Sequence, residues 1–272
     1  MSLNAALPKP DIGIFDSGLG GLSVLREIQR QAPSASVLYL ADTANIPYGD
    51  KPIAVVRDLA LLLTDRLVDA GVQLVVMASG TSTVAGLEAA QSRYPALPIA
   101  GTIAPGAAAA VSGSAGSIGV LATNATVQSR AFTEAVHLLD PNREVVEVGC
   151  PRFVPLVETG RADTPEAREA ALEYLHSLHA AHVQSIILGC THFPFLLGAL
   201  HHAVSQIGDS LFQPRFVDPA AAAVRDALPL LTLTSTAAGP VLFAATGDPE
   251  EFRCFASRLL GIPIDYVASL ML

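Results

Sequence analysis

Cys190, in Leu188-Gly189-Cys190-Thr191-His192-Phe193-Pro194, sets a proton-carrying sulfur two residues before an imidazole. A thiolate is a competent base, and a nearby histidine or a helix N-terminus governs how readily a thiol ionises. An earlier stretch repeats the pattern with one exchange. Gln184-Ser185-Ile186-Ile187-Leu188-Gly189-Cys190-Thr191 is echoed by Gln73-Leu74-Val75-Val76-Met77-Ala78-Ser79-Gly80-Thr81, so Ser79 stands where the second copy has Cys190. One thiol and one hydroxyl then occupy equivalent places, each able to carry a proton. A lone cysteine at a strand end reads first as buried packing. His192 and a following helix start move Cys190 toward chemistry. Cys150, beside Pro151, and Cys254, inside a helical pattern, keep the packing assignment.

Two further turns share that character. Asp16-Ser17-Gly18-Leu19-Gly20-Gly21 follows one apolar run, and Asp42-Thr43-Ala44-Asn45-Ile46-Pro47-Tyr48-Gly49 follows the next. The first is not a dinucleotide loop: Ser23 holds the place of the third glycine of G-x-G-x-x-G, and Asp16 would repel a pyrophosphate. Taken singly, these turns read equally well as helix caps and packed loops. Four small polar turns at one rim, each offering free N–H groups or hydroxyls, suit a small anion. His176, His179 and His182 recur at three-residue intervals but lack zinc-ligand spacing, and a solvated helix face accounts for them. No metal site is expected.

To present these turns together the chain must alternate strands and helices. Short β-branched runs at Ile12–Phe15, Val37–Leu40, Leu74–Met77, Ile118–Leu121, Glu144–Val148, Ser185–Leu188 and Val241–Ala244 are separated by segments with apolar spacing near the helical period, the pattern of βα units around a parallel sheet. Ile12-Gly13-Ile14-Phe15 recurs as Ile118-Gly119-Val120-Leu121, so the repeat is wider than one strand. The expectation is an α/β protein of two pseudo-symmetric doubly wound lobes, 1–104 with 216–272 and 105–215, and a site in the cleft where strand carboxyl ends meet. The Ala-rich piece Ala107–Ala110 reads as helix. A chain of 272 residues, 51% of them hydrophobic, has material for two such cores. A net charge of −9 with no run of Lys or Arg argues against nucleic acid or an anionic membrane as partner. No apolar run reaches bilayer or signal length, and three widely spaced cysteines suit a reducing compartment, so a cytoplasmic protein is expected.

Phe15-Asp16-Ser17-Gly18-Leu19-Gly20-Gly21, Asp42-Thr43 with Pro47-Tyr48-Gly49, Cys150-Pro151-Arg152-Phe153-Val154-Pro155-Leu156-Val157-Glu158, Gly189-Cys190-Thr191-His192-Phe193-Pro194 and Thr246-Gly247-Asp248-Pro249 together resemble the glutamate racemases of the aspartate/glutamate racemase family. The resemblance runs through nearly the whole chain in the family's order. It implies an isomerase without a cofactor that interconverts L- and D-glutamate for peptidoglycan precursor supply, acting on a small acidic amino acid, with a homodimer as one assembly. It implies two thiols on opposite faces of the substrate, since a single group returns the proton to the face it left. Asp16 would assist the first and His192 the second, with Asp42 and Glu158 as acid–base support. Ser17, Tyr48, Gly49, Gly80, Thr81 and Thr191 would hold the substrate, and the second thiol would serve the L-enantiomer.

The chain departs from the family at one motif. Where relatives carry Cys-Asn-Thr it reads Ser79-Gly80-Thr81, which replaces a thiol by a much weaker acid and removes an amide. Ala104 also lacks a polar group seen there in relatives. Impaired racemisation is the expectation. Two other readings stay open: a one-thiol decarboxylase or other lyase using Cys190, a class in which related proteins carry a small residue at the first thiol position, and a catalytically silent protein that binds an acidic amino acid or another protein.

Overall fold

In the computed structural model, which describes residues 9–233 and 236–272, the apolar runs form ten strands. These are β1 (Ile12–Asp16), β2 (Val37–Ala41), β3 (Leu74–Met77), β4 (Ile99–Ala100), β5 (Ile118–Ala122), β6 (Val145–Gly149), β7 (Ser185–Leu188), β8 (Arg215–Val217), β9 (Val241–Ala245) and β10 (Ala268–Ser269). Every pairing is parallel, and two sheets result, in the orders β10-β9-β2-β1-β3-β4 and β6-β5-β7-β8. Parallel strands are covered by helices on both faces, which is why β1, β2, β3, β5 and β7 are buried at every residue and, apart from Asp16 and Ser185 at strand ends, carry no polar alternation.

The echo in the sequence is a topological repeat. The block β2-β1-β3-β4 has the same order as β6-β5-β7-β8. Register agrees as well: Ile12 lies opposite Val37 and Leu74, and Ile118 opposite Val145 and Ser185. Each sheet is sealed by an apolar cluster on either face. Ile14, Leu25 and Tyr39 belong to one side of the first sheet and Phe15, Leu63 and Met77 to the other, while Leu121, Leu175 and Phe193 oppose Val120, Phe132 and Ile187 in the second. The helix Pro219–Ala227 ties the lobes together by packing on Leu22–Gln31 of the first and Ile103–Gly113 of the second, where the Ala-rich stretch is helical.

The chain returns to the first lobe at its end. β9 pairs with β2, and the helix Pro249–Leu260 follows, bringing Phe252 onto Tyr39 with ring centroids 6.0 Å apart. Asp248 caps that helix, accepting from the N–H groups of Glu250 and Glu251. β4, β8 and β10 lie outside the strand set read from the sequence, because two or three residues are too few to show a period. One boundary changes with them. β8 pairs with β7, so residues 216 and 217 join the second sheet, not the first lobe as the sequence suggested. No helix among the described residues is long and apolar enough to cross a membrane.

Candidate active site

The carboxyl ends of β3 and β7 face each other across the cleft, and each is followed after one residue by a polar side chain. Ser79 follows Ala78 after β3 and caps the helix Gly80–Arg93, its Oγ accepting the Ser82 N–H at 3.4 Å. Cys190 follows Gly189 after β7. Pro194 then allows only a short 3-10 turn, Phe193–Leu196, before the helix Leu197–Ile207, so the α-helix start expected directly after Cys190 is displaced. Ser79 and Cys190 are equally withdrawn, each 8% exposed, and both line one cavity of about 50 Å³ between the lobes, room for a few water molecules.

The thiol has a chain of partners behind it. Cys190 Sγ lies 3.6 Å from His192 Nδ1, and His192 Nε2 lies 2.6 Å from Glu158 Oε1, which also accepts the Leu19 N–H at 2.7 Å. Burial alone would lower the His192 pKa. The hydrogen bonds and charges of Cys190 and Glu158 overcome it and raise the pKa well above the usual imidazole value. An imidazolium at this position donates from both ring nitrogens, toward sulfur and carboxylate together. The loop Asp16–Gly21 wraps this histidine tightly. A β-carbon on Gly20 would collide with His192 Nδ1 and Thr191 Oγ1, so only glycine permits the approach.

Asp16 is wholly buried at the tip of β1. It accepts the Gly18 N–H and the Thr191 hydroxyl, each at 3.0 Å, and burial raises its pKa above the ordinary carboxylate value despite the opposing charge of His192. The resemblance assigned Asp16 to the first proton-transfer position. Among the described residues its hydrogen bonds run instead to its own loop and to the second lobe, and none reaches Ser79.

On the other wall Tyr48 donates its hydroxyl to Asp42 Oδ2 at 2.6 Å, while Asp42 Oδ1 accepts from Thr246 Oγ1 at 2.7 Å and Asn45 Nδ2 at 3.0 Å. Burial, reinforced by the Asp42 charge, raises the Tyr48 pKa far above the phenol value, so it remains a neutral hydroxyl whose proton is committed to Asp42. Thr81 and Thr123 share a hydrogen bond of 3.1 Å across the cleft.

Of the residues singled out in the sequence, Ser17, Tyr48, Gly49, Ser79, Thr81, Cys190, Thr191 and His192 line the cavity. Asp16, Asp42, Glu158 and Gly80 stand behind its wall. Sequence reasoning missed Asp50, Thr123, Asn124, Thr246 and the wall position of Cys150. Thr123-Asn124 follows β5 as Ser17-Gly18 follows β1, so extending the repeat two residues past Leu121 would have found Thr123. Cys150 holds the matching place after β6. It packs in the second lobe's core and also faces the cavity, and burial pushes its thiol well above the usual range, which keeps it neutral. His179 pairs with Asp209 at 2.9 Å, and no group of metal-binding side chains occurs among the described residues.

Fold and site together define a two-lobed parallel α/β protein in which a thiol–imidazole–carboxylate chain faces a hydroxyl across a small polar cavity. The model of the Asp/Glu/hydantoin racemase family matches residues 12–227, and the chain belongs to that family. It is 44% identical over 245 residues to the glutamate racemase of Gloeobacter violaceus, covering 89% of each chain. It superposes with a TM-score of 0.88 on a glutamate racemase isoform of Bacillus anthracis, at 30% identity and covering 97% of this chain and 98% of that one. A glutamate racemase of Francisella tularensis in complex with D-glutamate gives a TM-score of 0.86 at 27% identity, with the same coverage.

Proposed function

We propose that the protein is a glutamate racemase that interconverts the two enantiomers by cofactor-independent proton transfer at the α-carbon, with Cys190 on one face and Ser79 on the other. The observation that carries this reading is the Cys190–His192–Glu158 chain opening onto a polar cavity that Ser79 closes from the opposite lobe. In the L-to-D direction Cys190, as thiolate, takes the α-proton. The electron pair of the broken C–H bond spreads into the α-carboxylate, and the Ser79 hydroxyl, or a water it holds, protonates the opposite face. The His192 imidazolium, steadied by Glu158, stabilises the thiolate.

Ser17, Tyr48, Gly49, Thr81 and Thr191, with the helix N–H groups beginning at Gly80, hold the carboxylates and the ammonium group. Preorganised donors of this kind stabilise charge that develops in the transition state. Asp16 and Asp42 act from behind the wall, by fixing Thr191 and Tyr48. A hydroxyl is a weak acid and a weaker base than a thiol, so turnover is slow compared with a two-thiol site. The place of action is the cytoplasm, and D-glutamate for peptidoglycan precursors is the product.

The only hydrogen bond to the Ser79 hydroxyl among the described residues is that of the Ser82 N–H, an imbalance that favours a second reading, a one-thiol lyase. One experiment separates the two. Both glutamate enantiomers are incubated in D₂O, with chiral analysis, α-deuterium content and carbon dioxide release followed together. Racemisation with deuterium uptake supports the proposal; neither exchange nor racemisation from either enantiomer would sink it.

A further inference from the structure

Gly80 marks a near-contact of the two lobes beside the proton-transfer groups. A β-carbon built on it would stand 2.7 Å from the backbone oxygen of Gly189, the residue before Cys190. That oxygen has little freedom to withdraw. The Gly189 N–H is bonded to the Leu121 oxygen at 2.7 Å, and the space beside its α-carbon is closed by Phe132, Leu121 and Ala122. Gly80 has no positive φ, so glycine serves space here and not backbone conformation. Any side chain at residue 80 must part the lobes where residues 79 and 190 meet.

Ser79 explains why close approach matters. A C–O bond is shorter than a C–S bond, so a hydroxyl at this position reaches less far into the cavity than a thiol. Resting on the racemase reading, we infer that Gly80 is a positioning residue paired with Ser79: it lets the second lobe settle close enough for the shorter side chain to reach the substrate's α-carbon opposite Cys190. The amide lost at residue 80 and the thiol lost at residue 79 are then one coupled change.

The test has a geometric arm and a kinetic arm. In a Cys150→Ala background, which removes the other thiol on the cavity wall, Ser79→Cys supplies a second thiol opposite Cys190. Bridging by dibromobimane, which forms two C–S bonds and releases two bromides, is quantified by mass spectrometry. Adding Gly80→Ala should slow bridging by about fivefold or more with circular dichroism unchanged, and equal bridging rates would overturn the inference. Gly80→Ser introduces the same β-carbon and serves if the alanine variant folds poorly. In the kinetic arm Gly80→Ala should lower kcat for glutamate racemisation by about tenfold or more with Ser79 in place, but by only about threefold in the Ser79→Cys background, with KM little moved. Equal losses in the two backgrounds would mean that Gly80 acts only as packing. Bridging that depends on Gly80, in a protein that never racemises glutamate even with Ser79→Cys, would preserve the geometric role and remove the glutamate reading instead.

Discussion

The ends of β3 and β7 are topological equivalents, and they support their reactive side chains unequally. Behind Cys190 stand His192 and Glu158, with Glu158 held in turn by the Leu19 N–H of the other lobe. Behind Ser79, among the described residues, stands only the first turn of its own helix, through Ser82 N–H at 3.4 Å. Asp16, which the family resemblance would assign to the Ser79 side, spends its hydrogen bonds on Gly18 and Thr191. A repeated sheet therefore fixes where two side chains sit, while the power to move a proton resides in the groups behind them, and one half can specialise without disturbing the other.

The largest effect that can break this comparison is loss of the thiol. Cys190→Ala should reduce deuterium uptake into L-glutamate by about 10²–10⁴-fold, the usual value of a positioned acid or base. Ser79→Ala should cost that exchange less than about tenfold, since the proton leaves on the other face. D-glutamate should exchange more slowly than L-glutamate in the native protein. Mass spectrometry of both enantiomers recovered from D₂O measures all three, and equal losses from the two substitutions would show that the halves are functionally matched after all.

A smaller effect isolates the support from the thiol. Glu158→Gln keeps an acceptor for the Leu19 N–H but removes the charge that helps hold the His192 proton. Exchange should fall on the order of 10–10²-fold, less than removal of Cys190 itself. Because Glu158 raises the His192 pKa, its loss lets the imidazolium deprotonate at lower pH, and the alkaline limb of the rate profile should move toward acid. Stability follows the same sign. A histidine raised in the folded state contributes fully below its unfolded pKa, and that contribution is lost as pH rises through the folded value. The native protein should therefore show a steeper alkaline loss of Tm than the variant, and superimposable pH profiles would exclude a role for Glu158 in the relay.

The contrast between the halves was partly legible in the sequence. Repeated apolar runs at 12–15, 74–77, 118–121 and 185–188 located the strands, because a strand covered on both faces has little choice but to be apolar throughout. Ser79 against Cys190 was visible for the same reason. What stayed hidden depends on contacts between residues distant in the chain. Asp16 bonding to Thr191, Glu158 to Leu19 and Thr246 to Asp42 leave no local pattern, since each joins separate elements. Gly80 read as an amide lost. Only the Gly189 oxygen placed against it shows what its missing side chain allows.

The smallest effect sharpens the comparison by asking to which half the Asp16 charge belongs. Burial raises the Asp16 pKa above its unfolded value of about 3.9, so the ionised carboxylate weakens the fold as pH climbs through and beyond that value. The His192 charge and the Gly18 and Thr191 hydrogen bonds offset part of this. Asp16→Asn keeps an acceptor for Gly18 and discards the charge, so Tm at neutral pH should rise by about 2–4 °C, equivalent to roughly 1 kcal/mol, with the gain fading near pH 4. If the charge is coupled to the relay, the same substitution in a His192→Gln background should stabilise more, because the carboxylate there has lost its counter-charge. Calorimetric scans of the four proteins settle it. A gain that is the same in both backgrounds would detach the Asp16 charge from the Cys190 half and leave its hydrogen bond to Thr191 as the link between them.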